Sequence, residues 1–172
     1  MVGTGKLASV ALMAFACAFA SPEAAPAGEP DSGHTHGVNM RGDKAMGLSH
    51  MKTTHHFRLL PDGGMIEVTA NDLADSSSRD AIRAHLSHIA RMFAAGDFST
   101  PMLIHDRVPP GVADLQRLRA KVRYLYEPIQ NGGRVLISTR NAGGLVAIQE
   151  FLRFQIIDHK TGDPLEVIDT PR

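Results

Sequence analysis

Two stretches of this chain repeat one pattern, and that repeat limits the folds open to it more than any other feature. Ala81-Ile82 corresponds to Ala147-Ile148, Leu86 to Leu152, and Gly96-Asp97 to Gly162-Asp163, all at one constant offset. Gly63-Gly64 corresponds to Gly132-Gly133 at a slightly larger one. Each stretch reads as strand, strand, helix. Residues 54–60 and 65–70 read as strands, and in the second Ile66 and Val68 alternate with Glu67 and Thr69 as in a half-buried strand. Pro61-Asp62-Gly63-Gly64 is the turn between them. A helix is predicted over 79–95, with Ile82, Leu86, Ile89 and Phe93 as its core stripe. Ser77 with Asp80 would cap its start and Gly96 would end it. The second stretch repeats the order with strands over 122–128 and 134–139 and a helix over 143–159. Ile148, Leu152 and Ile156 face inward there, and Thr161-Gly162-Asp163-Pro164 stops the helix. Between the stretches, 98–111 reads as irregular because of Pro101, Pro109 and Pro110, with a short helix over 112–119. One ββα unit cannot bury its apolar face alone, whereas two can. The predicted fold is α+β: two ββα pseudo-repeats forming a four-stranded antiparallel sheet with two helices on one face.

The chain's start has the pattern of a secretory signal. Lys6 supplies the charge, Leu7 to Ala20 is uncharged and apolar, and Ala18-Phe19-Ala20 is an A-x-A site. Residues 1–20 are therefore expected to be removed, with Ser21 as the new N-terminus and a periplasmic or secreted location. The apolar run is short of the roughly 20 residues of a membrane span. Cys17, the one cysteine, lies inside this segment, so cleavage leaves no disulfide and no thiolate ligand. The alternative is a lipoprotein box over Ala14-Phe15-Ala16-Cys17, which would anchor the chain through a lipidated Cys17. Phe15 is bulky for that pattern. Residues 21–51 read as a flexible arm, first rich in Pro, Ala and Gly, then bearing His34, His36, Met40, Met46, His50 and Met51. The domain then runs over 52–164, with a tail over 165–172.

Charge excludes some partners. Eighteen Lys and Arg balance eighteen Asp and Glu, so no basic face points to nucleic acid. Histidine and methionine are the unusual entries, and all nine histidines lie beyond Ala20. On the first predicted helix His85, His88 and Met92 stand at i, i+3 and i+7, which places them within about one sixth of the circumference, beside the core stripe. Met102 and His105 follow directly, and His55 and His56 open the first strand. Adjacent strand residues face opposite sides, so only one of His55 and His56 can meet the helix layer. The repeat pairs His85, His88 and Met92 with Phe151, Phe154 and Asp158, so the fold itself does not demand histidine there. Neutral nitrogen and thioether donors suit copper, Cu(I) above all. His159, near the end of the last helix, is expected to bond the helix's own terminal carbonyls. For any single residue here core-edge packing is the better account; it is His85, His88 and Met92 together, with more His and Met on both sides, that point to a metal.

No H-E-x-x-H, G-x-S-x-G or P-loop is present, and no C-x-x-C-H for covalent haem. His/Met ligation of a noncovalent haem stays open. The strings Lys52-Thr53-Thr54-His55-His56-Phe57, Arg83-Ala84-His85-Leu86-Ser87-His88-Ile89-Ala90 and Phe151-Leu152-Arg153-Phe154-Gln155-Ile156, with Thr161-Gly162-Asp163-Pro164, resemble a family of short exported bacterial proteins. The resemblance spans roughly 46–164 and implies a bacterial, exported setting, without an activity. Three readings follow. The first is an exported copper-binding protein for capture, delivery or tolerance, with another periplasmic metal-handling protein as a partner. The second is a metal-dependent enzyme or redox protein using the same ligands. The third is a metal-free periplasmic interaction module.

Overall fold

The structure is a computed structural model that describes Met1, residues 32–47 and residues 49–169. The signal-peptide and linker expectations, together with 170–172 of the tail, lie outside the described residues. All described elements belong to the compact unit Asp31–Arg172. In chain order they are α1 (Ser32–Met46), β1 (Thr53–Leu60), β2 (Gly63–Ala70), α2 (Ser76–Ala95), α3 (Ser99–His105), α4 (Val112–Arg117), β3 (Val122–Ile129), β4 (Gly132–Thr139) and α5 (Ala142–His159).

The four strands form one antiparallel sheet in the order β1-β2-β4-β3, so the two hairpins meet through their second strands. His55, Phe57 and Leu59 on β1 pair with Val68, Ile66 and Gly64 on β2, and Gly64, Ile66 and Val68 pair with Ile137, Val135 and Gly133 on β4. These residues share the face that the helices cover. The expected stripe on α2 is buried as read, and α5 buries Ile148, Leu152 and Ile156 with Phe151.

The helices are crossed relative to their units. α2 lies mainly over β3 and β4, the hairpin of the second unit, and α5 over β1 and β2, the hairpin of the first. This crossing makes the two units one core. Its contact points are a symmetric pair: Gly64 lies under Leu152 and Gly133 under Leu86. Gly64 needs glycine because Leu152 and the Arg58 carbonyl leave no room for a side chain, whereas at Gly133 only the ends of Leu86 and Tyr126 stand close.

Four local expectations are corrected. First, the segment expected as an arm is helical over Ser32–Met46. Among its described residues only Val38 and Gly42 are buried, with Met46 packed on the core four residues on, and glycines at 33, 37 and 42 lower its intrinsic propensity. Tertiary ties hold it instead: Arg41 Nε donates to the carbonyl of Ile104 at 2.7 Å, and His34 Nε2 meets Asp158 Oδ1 at 3.0 Å. Second, the segment after Phe98 contains α3; Pro101 falls in its first turn, where a missing N–H costs nothing. Third, Asp75, not Ser77, caps α2, accepting from Ser78 N at 2.9 Å, and the helix starts three residues earlier than read. Fourth, the tail is docked in part. Val167 bridges Leu59 in parallel, and Ile168 N donates to the Leu59 carbonyl at 2.9 Å.

Candidate functional site

β1 alternation sends His55 inward and His56 outward. On the outer side, Asp163 holds His56 Nδ1 at 2.8 Å and accepts from Phe57 N at 3.0 Å. Burial would raise the Asp163 carboxyl, but bonds from Thr161, the Phe57 amide and His56 outweigh it and hold it below the usual range. His56 thus pins the loop after α5 to β1 and stands apart from the inner cluster.

Inside, three of the expected residues share one cavity. His55, His85 and His105 line a space of about 70 Å³ between β1, α2, α3 and α5, walled otherwise mainly by apolar side chains. A void this small admits an ion or a few waters, not a haem. His159 lines it as well. Its ring stacks on His55 with centroids 6.0 Å apart and meets the edge of His105 at 5.0 Å. The expectation that His159 serves only its own helix end is therefore corrected. The signal was present in the repeat, which pairs His159 with Phe93: a histidine again stands where the other unit has a packing residue. Met46 also lines the cavity, from α1.

Electrostatics separates these histidines. Burial lowers His55 to about 4, with His56 adding to the effect and Asp43 opposing it. Burial lowers His85 to about 4, helped by His55 and His88. Burial lowers His159 to about 3, with His105 and His55 adding and Asp158 opposing. All three rings are neutral at pH 7 and keep a lone pair. Nε2 of His55 is buried and has no hydrogen-bond partner among the described residues.

His105 differs from them. It is 2% exposed, and both ring nitrogens are engaged, Nδ1 with Asp158 Oδ2 at 2.5 Å and Nε2 with Gln155 Oε1 at 3.0 Å. Asp158 is a hub that also takes His34 and Arg107 Nη2, the latter at 2.8 Å. Its burial would raise the carboxyl, but the bonds from His105 and His34 win and lower it. His105 is a structural tie between α3 and α5.

The remaining expected ligands are dispersed. His88 is exposed on α2. Met92 is packed against the core, with Thr100 Oγ1 3.9 Å from its sulfur, and Met102 packs against the core too. Among the described residues no three His, Cys, Asp or Glu side chains stand in metal-holding geometry. The cluster is a set of neutral donors around a void, not a preformed cage. No helix among the described residues is long and apolar enough to cross a membrane. Compared with family models, curated proteins and solved structures, the chain matches none.

Proposed function

We propose that this chain is an exported copper-binding protein that captures or passes on Cu(I), with His55, His85 and His159 as imidazole donors and methionine sulfur nearby. One observation carries the reading: Nε2 of His55 is buried beside the cavity and has no hydrogen-bond partner among the described residues. A buried polar nitrogen left unpaired costs stability, on the order of 1–3 kcal/mol, and a bound ion would offset that cost. The neutral state of all three rings supports it, because a protonated imidazole cannot ligate. Cu(I) accepts two- and three-coordinate sites, so the absence of a preformed cage is compatible with capture by small side-chain rotations. Imidazole with thioether is a soft set that suits Cu(I) over calcium or magnesium. The leader-like start, the A-x-A site and the lack of cysteine beyond Ala20 fit a periplasmic or secreted carrier.

The test is titration of the chain with Cu(I) against a competing chelator, with zinc and iron run in parallel. One tight Cu(I) equivalent is expected. His55→Phe with His85→Phe is expected to abolish it while circular dichroism stays native. Stoichiometry near zero in the unaltered chain overturns the reading and favours a metal-free interaction module.

A further inference from the structure

A second cleft lies against the first on the side of α1. It has a volume of about 270 Å³, and its walls differ in origin. His55 and His159 form one side, from β1 and α5, while Asp43, Met46 and His50 form the other, from α1 and the turn after it. His55, His159 and Met46 border both cavities, so the two spaces adjoin with the histidine pair as a shared wall.

His50 is held in an unusual way for a half-exposed surface histidine. Asp43 accepts from the His50 backbone N at 2.8 Å through Oδ1 and holds the ring Nδ1 at 2.9 Å through Oδ2. Two bonds from one carboxylate fix both the position and the orientation of the ring. A proton on Nδ1 directed at Asp43 leaves Nε2 with its lone pair. A carboxylate behind Nδ1 is the arrangement that orients histidines at metal centres and raises their basicity as ligands. The bond to the His50 amide alone would fix the turn after α1, and the ring contact adds a second, separate tie.

We infer that α1 and its following turn complete the copper site, with His50 Nε2 as the fourth ligand across the cleft from His55 and His159, Met46 sulfur lining the gap between them, and Asp43 as the positioning residue. The inference rests on the copper reading above. It gives a function to the α1 ties: they keep a glycine-rich, weakly packed helix over the cleft, close enough to shift inward when an ion enters.

The experiment uses the full chain and Cu(I) alone as the probe, in competition with a chelator. His50→Ala is expected to weaken Cu(I) binding by about 10–100-fold, as loss of a ligand or its orienting partner does. Asp43→Asn is expected to weaken it by roughly tenfold at the low end of that range. Histidine ligation counted by X-ray absorption should fall by one in His50→Ala, a change that altered stability alone would not produce. In the unaltered chain the ¹⁵N shift of His50 Nε2 should move on Cu(I) addition, which needs no variant to fold. Tight Cu(I) binding that is lost in His55→Phe yet unchanged in His50→Ala, with a static His50 Nε2 shift, overturns this inference and leaves the copper reading standing. Absence of any Cu(I) binding by the unaltered chain removes both.

Discussion

The ring of His159 lies stacked on that of His55, 6.0 Å between centroids and 8° from parallel, although the two residues come from opposite ends of the domain. This contact ties the edge strand β1 to the last turn of α5, and it places two neutral imidazoles side by side under α1. Protonating either ring would set a charge against apolar walls and beside other histidines.

Acid should therefore unfold the domain early. The folded-state values of His55 and His85, about 4, and of His159, about 3, lie below their ordinary value of 6.5. A lowered folded value means that the unfolded chain binds the proton better. The resulting stability is fully present above pH 6.5 and is lost as pH falls toward 4. For His55 alone the loss by pH 5 is on the order of 2 kcal/mol. Urea midpoints at pH 7 and pH 5 measure it, and His55→Phe should shrink the difference. A midpoint that does not change between the two would contradict the buried neutral cluster.

Asp158 supports a second prediction. It is the shared acceptor for His34, His105 and Arg107, and it is largely buried. Asp158→Asn keeps the shape but removes the charge that three donors face, so a destabilisation of roughly 3 kcal/mol is expected. Hydrogen exchange should also rise in α1 before it rises in β2 and β4, because the His34 tie is one of few holding that helix. Equal acceleration in all three elements would mean that Asp158 serves only global stability.

The crossed packing can be tested at the glycines beneath the helices. A Cβ at Gly64 would collide with Leu152 Cδ1 and lie 2.8 Å from the Arg58 carbonyl oxygen, which is backbone and cannot move aside. A Cβ at Gly133 would meet the ends of two side chains, Tyr126 Cε2 at 3.0 Å and Leu86 Cδ1 at 3.3 Å. Gly64→Ala should cost about 1–3 kcal/mol as an overpacked site, and Gly133→Ala distinctly less. Chemical denaturation of the two variants decides it, and equal losses would argue against this contact asymmetry.

The periodic parts of the fold were legible because each depends on neighbours in sequence. Alternation located β2, strand geometry allowed only one of His55 and His56 to face inward, and the spacing of Ile82, Leu86, Ile89 and Phe93 gave the buried face of α2. The repeat gave the order of elements and the shared face. It could not say which hairpin each helix covers, because crossing is a choice made in tertiary packing. α1 was unreadable for a related reason. Its buried stripe holds one strong apolar residue, Val38, and its anchors are Asp158 and the Ile104 carbonyl, far away in the chain. The site was half legible. His85 and one of His55 and His56 were singled out from the sequence, and His85 and His55 line one space, whereas the surroundings of His105 and His159 depend on how α3 meets α5, which no local pattern encodes.

The two histidines of α2 give the last prediction, because the sequence treats them alike and the structure does not. His85 lies toward the cavity and is lowered to about 4 by burial. His88, three residues on, is exposed and lies on the side of Asp97, whose carboxyl it helps to lower after the larger effect of the Ser99 bonds. A ligand must reach the ion, so if copper binds in the cavity the two positions cannot contribute equally. His85→Ala should weaken Cu(I) binding by at least about tenfold, some 1.4 kcal/mol, and His88→Ala should leave it within about threefold. Each variant should keep its native circular dichroism, since neither residue belongs to the buried stripe of α2. Chelator competition on both variants provides the comparison. Equal losses at the two positions would place the ion on the outer flank of α2, with Met92, and away from His55 and His159.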